Sequence, residues 1–136
     1  MARLREIVFD CERPSHLARF WAAVLDGYAV RPYDDAEIAR LAAKGLTPET
    51  DPTVLVDGPG PPLCFQNVPG RSYTNNRVHL DIAVADRRAE VTRLVGLGAS
   101  LQREGEGYTV VSDPEGNQFC LVDTAENGTT AGISPD

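Results

Sequence analysis

No stretch of about 18 consecutive apolar residues occurs in this sequence, so nothing in it meets the length a membrane-spanning helix requires. No basic segment followed by an apolar run opens it either, which gives no secretory leader and an expected place in the cytoplasm. Cysteine is scarce. Cys11, Cys64 and Cys120 are odd in number and irregularly spaced, as reduced thiols are and a disulfide framework is not. Positive charge is in deficit: 13 Lys and Arg stand against 20 Asp and Glu, and a net charge of −7 repels nucleic acid and anionic membrane alike. The expected partner is a small molecule, neutral or held by local contacts. Two motifs are missing as well. There is no Gly-x-Ser-x-Gly elbow for a serine hydrolase, and Gly58-Pro59-Gly60 is followed by neither a lysine nor a helix start, so it is no phosphate loop.

What is present reads as one domain of 136 residues, large enough to bury roughly two thirds of its unfolded surface without a metal or disulfide. The stretch Arg77–Val84 alternates: Val78, Leu80, Ile82 and Val84 fall on one side of a strand, His79, Asp81 and Ala83 on the other. Leu4–Cys11 has the same character, with Ile7 and Phe9 opposed to Glu6, Val8 and Asp10. Pro14 suits the first turn of a helix whose apolar stripe is Leu17, Phe20, Trp21, Val24, Leu25 and Tyr28, with Gly27 as its stop. The helical spacing of Phe20 and Trp21 makes them core residues.

A short strand over Ala29–Tyr33 leads into residues 34–45, where Ile38, Leu41 and Ala42 mark a brief amphipathic helix with acids at its start. This piece reads as an insertion. Thr53–Val56 and Leu63–Val68 are strands joined by the turn residues of positions 57–62, and a polar connector runs from Pro69 to Asn76. A second helix spans Arg87–Leu97 with Val91, Leu94 and Val95 as its buried face and Gly98 as its stop. Ser100–Arg103 is a strand, and Tyr108–Ser112 and Asn117–Asp123 form a hairpin across Asp113-Pro114-Glu115-Gly116. Residues 124–136 form a small polar tail.

The order is strand, helix, three strands, repeated once, so the fold class is α+β with two tandem βαβββ modules. Glu6-Ile7-Val8-Phe9-Asp10 stands to the first helix as His79-Leu80-Asp81-Ile82-Ala83 stands to the second. The module order, the run Phe20–Tyr28, Val78-His79-Leu80-Asp81, Leu97-Gly98-Ala99 and Asp113-Pro114-Glu115-Gly116-Asn117 resemble the glyoxalase-like branch of the vicinal oxygen chelate superfamily. That superfamily includes glyoxalase I, fosfomycin-resistance enzymes, extradiol dioxygenases, methylmalonyl-CoA epimerases and bleomycin-binding proteins. The resemblance implies a mixed sheet curled around a cavity with helices on its outer face. It sets one domain over residues 1–123, with modules at about 3–68 and 76–123, and a homodimer.

The resemblance also implies a metal site from the first and last strands of each module. Its positions fall on Glu6, on His79, on Cys120 where relatives usually have a glutamate, and on either Cys64 or Gln66. Only His79 matches the common pattern. A carboxylate, an imidazole and a thiolate suit zinc, with Gln66 or water as a fourth ligand, whereas the oxygen-rich set of magnesium or manganese is poorly represented. Beside this stands a plainer reading: Glu6 as a solvated carboxylate, Cys120 as a small buried hydrophobe, and His79 as a cavity residue hydrogen-bonded to Asp81 or Glu6.

Two function classes follow. One is a divalent-metal-dependent lyase, isomerase or dioxygenase-type enzyme, with His79 and Asp81 as catalytic groups and the carboxylates Asp10 and Asp81 suited to acid and base work. The other is a metal-free protein that sequesters a hydrophobic compound or antibiotic, as bleomycin-binding relatives do, on Phe65, Tyr108 and Trp21 where these reach the cavity. Alternation puts Phe65 and Phe119 with the core instead. A third outcome keeps the fold with an eroded site. The insertion at 34–51 is expected over the cavity mouth or in the dimer interface.

Overall fold

Alternation along the first strand decides which of its faces is buried, and the aromatic residues follow it. In the computed structural model, which describes residues 4–70, 78 and 80–124, β1 (Ile7–Cys11) turns Phe9 inward. There its ring stacks on Phe65 at 4.9 Å and meets Trp21 at 5.4 Å. Trp21 lies on α1 (Pro14–Val24), whose Leu17, Ala18, Phe20, Trp21 and Val24 are buried as the sequence spacing requires. Offset aromatic packing of this kind adds to the area each ring removes from water. Phe65 thus belongs to the core, and so does Trp21, which removes Trp21 from the ligand contacts considered above.

The chain divides into two compact units, residues 1–71 and 72–136. The first continues with β2 (Ala29–Val30), α2 (Asp35–Ala42), β3 (Thr53–Asp57) and β4 (Leu63–Asn67). Its sheet has the order β1-β4-β3-β2, with β1 parallel to β4 and the other pairs antiparallel. The parallel pair follows from the helical crossover, because α1 carries the chain back before the later strands are laid. Where β2 and β3 approach their loops, the ring of Tyr28 lies flat against Gly58, and its hydroxyl donates to the Pro61 carbonyl at 3.1 Å. A side chain at Gly58 would run into that ring.

The insertion contains the expected helix. Asp34 accepts from the Glu37 amide at 2.8 Å while Glu37 accepts from the Asp34 amide, a capping box that starts α2. No residue of α2 is buried. The segment is held at its ends: the Tyr33 hydroxyl donates to Asp51 at 2.7 Å, Arg19 pairs with Glu49 at 2.6 Å, and Ser15 donates to the Glu49 carbonyl at 2.9 Å.

The second unit repeats the order with β5 (Asp81–Val84), α3 (Arg87–Gly96), β6 (Ser100–Gly105), β7 (Tyr108–Ser112) and β8 (Gln118–Asp123). Its sheet runs β5-β8-β7-β6, again with the first pair parallel, and the β6–β7 register shifts between Leu101 and Arg103. Asp86 caps α3 by accepting from the Ala89 amide at 3.1 Å. Of the face expected to be buried on α3 only Leu94 is fully so, while Val95 is 47% exposed. Successive helical residues turn about 100°, and the next position after a central contact is already at the rim. The β7–β8 turn is built on Asp113, which is 3% exposed. It accepts from the amides of Glu115 and Asn117 at 2.9 Å each and from the Asn117 side chain at 2.8 Å. Gly116 adopts φ 86°, the left-handed backbone the turn requires.

The described residues therefore form three helices and two four-stranded mixed sheets, neither of them closed, in two modules of one order. The strand expected from Arg77 begins at Asp81, and Val78, expected on its buried side, is 73% exposed. Residues 71–77, His79 and the tail from 125 onward lie outside the described residues.

Candidate functional site

In each unit one face of the sheet is covered by a helix, and strand register determines what the other face carries. Residues opposite one another in adjacent strands share a face. In the first unit Val8 pairs with Cys64, Cys64 with Leu55, and the Arg31 amide donates to the Leu55 carbonyl at 2.8 Å. One row across the sheet is thus Arg31, Leu55, Cys64, Val8. On one side of it lie Asp57 and Glu6; on the other, Thr53, Gln66 and Asp10. All of these lie on the face opposite Phe9, Phe65 and Trp21.

Three polar pairs occupy that face. The Arg31 guanidinium grips Asp57 in a fork, Nε to Oδ2 at 2.7 Å and Nη2 to Oδ1 at 2.8 Å. This hydrogen bond raises the pKa of Arg31 and lowers that of Asp57, so both remain charged. The Gln66 side chain donates to Asp10 Oδ1 at 2.9 Å. Cys64 is buried, and burial first, then the charge of Glu6 and a hydrogen bond to it, push its thiol above the ordinary value. Cys64 is accordingly a protonated donor to Glu6 at neutral pH.

The second unit has the same layout. Arg103 pairs with Val110, Val110 with Cys120, and Cys120 with Asp81, giving the row Arg103, Val110, Cys120, Asp81. Cys120 is 2% exposed and Asp81 lies open on the edge strand. Tyr108, paired with Val122, belongs to this face, whereas Phe119 is buried on the other. When Glu6–Asp10 is laid on residues 79–83, Val8 falls on Asp81, and the registers then place Cys64 in the position of Cys120. Register thus selects Cys64 over Gln66 as the counterpart of Cys120.

Of the residues singled out in the sequence, Glu6 meets Cys64 and Gln66 meets Asp10, while Cys120 and Asp81 face one another in register. His79 lies outside the described residues. Among the described residues no three His, Cys, Asp or Glu side chains stand together as a metal site would need. Arg31 and Asp57 were missed at the sequence level. Strict alternation through Ala29–Tyr33 paired against Thr53–Asp57 is the signal that finds them.

A cleft of about 470 Å³ opens separately at the start of α1, with His16, Leu46 and Pro52 among its lining residues. The acids on its wall have local partners: Glu49 serves Arg19 and Ser15, and Asp51 serves Tyr33 and the Thr53 amide. The later half of the insertion borders this cleft.

Residues 6–122 match the family described as the glyoxalase-like domain. No curated protein matches the sequence. Among solved structures, a glyoxalase/bleomycin resistance protein/dioxygenase family enzyme from Burkholderia phytofirmans PsJN is similar with a TM-score of 0.66 at 13% identity, covering 90% of this chain and 98% of that one. The fosfomycin resistance protein FosX from Mesorhizobium loti has a TM-score of 0.65 at 12% identity, covering 94% and 96%. A mutant FosX from Listeria monocytogenes, complexed with Mn(II) and 1S,2S-dihydroxypropylphosphonic acid, has a TM-score of 0.63 at 12% identity, covering 93% and 94%. At such identities the structures speak for the fold alone, while the family match covers both modules from Glu6 to Val122. The chain belongs to the glyoxalase-like domain family.

Proposed function

We propose that this protein binds a small organic molecule on the helix-free sheet faces, without a catalytic metal. The observation that carries the reading is Cys64. Buried beside Leu55 and Val8 in one row of the sheet, its small side chain offers an apolar floor. It is surrounded by polar pairs at the rim, as ligand sites are when a few fixed polar groups orient a largely apolar contact. Localisation in the cytoplasm and a homodimer belong to the same reading.

A divalent-metal enzyme is the second reading. Its support is Glu6 standing against Cys64, the equivalent placement of Cys120, and the Mn(II) complex of a FosX relative. It would have His79 and Asp81 as catalytic groups.

Metal content separates the two. Protein purified without chelator or affinity metal should contain no stoichiometric zinc or manganese by mass spectrometry, and should retain none after loading and desalting. Near-stoichiometric metal that is lost in both His79→Ala and Cys120→Ala would reject the metal-free reading and locate the centre.

A further inference from the structure

The register of the first sheet specifies more than a floor. Arg31 closes the row that runs through Leu55 and Cys64 to Val8, and Val8 is 46% exposed although it is apolar. The row is three strand spacings wide, about 14 Å, which suits a small ligand lying across it. Of the five N–H groups a guanidinium carries, two are committed to Asp57. The others have no partner among the described residues, and the Asp57 fork holds the plane of the group fixed. The acids of the face are engaged elsewhere: Asp57 with Arg31, Glu6 with the Cys64 thiol, Asp10 with Gln66. Glu37 and Glu6 act on the Arg31 charge through space, less strongly than Asp57 does in direct contact, and a ligand carboxylate at the free edge of the guanidinium would stand in direct contact as Asp57 does. The second sheet repeats the arrangement, with Arg103 two strands from Cys120 across Val110. An arginine and a buried cysteine thus recur at matching places in two modules whose remaining residues on this face differ.

Building on the small-molecule reading above, we infer that Arg31 is the specificity-determining residue of the first unit's open face and that the ligand is a carboxylic acid with an apolar body. The carboxylate meets the outer edge of the guanidinium, a planar match that a lysine cannot reproduce. The apolar body rests on Leu55, Cys64 and Val8.

The test compares two probes of one shape, benzoate and benzyl alcohol, titrated into the full-length protein while the backbone amides of Leu55 and Cys64 are followed by NMR. Benzoate should bind about tenfold more tightly, the scale of one charge-assisted contact. Arg31→Gln should abolish that preference and leave benzyl alcohol binding unchanged, and Arg31→Lys should restore only part of it. An exposed ion pair contributes little to stability, so both variants should fold. Equal binding of the two probes, or a benzoate preference that survives Arg31→Gln, overturns the assignment while leaving a small-molecule face in place. Failure of both probes to move either amide at tens of millimolar removes the underlying binding reading as well.

Discussion

The thiol of Cys64 shows how one residue constrains the chemistry of a face. Burial and the neighbouring Glu6 carboxylate both favour its neutral form. Replacing Glu6 by Gln removes the charge and leaves the burial, so the thiol pKa should fall toward the ordinary value without reaching it. The Cβ resonance of Cys64, assigned with Cys64→Ser and followed through alkaline pH, checks this; an unchanged midpoint would mean Glu6 does not act on the thiol. The sign for stability follows. Below the ordinary thiol pKa both folded and unfolded forms are neutral, and this contribution is fully present. As pH rises past that value the unfolded thiol ionises first, and the contribution is lost until the folded thiol ionises too. At this scale the sequence was half legible. Alternation put Glu6, Asp10 and Asp81 on open faces correctly, but a choice between Cys64 and Gln66 required register, which depends on pairing between distant strands.

Turns and helices were the most legible elements, because their signals are local. The sequence Asp113-Pro114-Glu115-Gly116-Asn117 announces a turn through proline and glycine placement. It does not announce that the Asp113 carboxylate is sealed from water and gathers three N–H groups. Asp113→Ala leaves those donors unsatisfied at a buried position, at a cost of about 2 to 3 kcal/mol. For a domain of this size the melting temperature should fall by roughly 5 to 12 °C, measurable by calorimetry. A shift below 2 °C would show that water replaces the carboxylate freely. The insertion illustrates the limit of local signals. Its helix was readable from the spacing of Ile38, Leu41 and Ala42 and the acids at its start, whereas the capping box between Asp34 and Glu37 came from the structure. Its anchoring by Arg19 and Ser15, some thirty residues away, was not readable either.

Across the whole molecule, two modules of one order are unequal in how they are held. Six residues of α1 are buried, against Leu94 alone on α3. The first module has an aromatic stack of Phe9, Phe65 and Trp21, while the second relies on Phe119 among aliphatic residues. Local opening follows the apolar contact an element would lose. Amides of α3 should therefore exchange with solvent deuterium well before those of α1 under native conditions, and the reverse order would show that buried area does not govern opening here. The repeated order itself was legible because each module combines a helical and a strand periodicity in sequence. The inequality was less so, since Val91 and Val95 gave α3 an apolar stripe on paper that the fold leaves partly in water.

The contact between Tyr28 and Gly58 has a consequence for how this chain can change through inheritance. Because the ring occupies the space a β-carbon would need, a larger residue at 58 is admissible only with a smaller one at 28. The two positions are thirty residues apart yet form one unit of variation, and related sequences should alter them together or leave both alone.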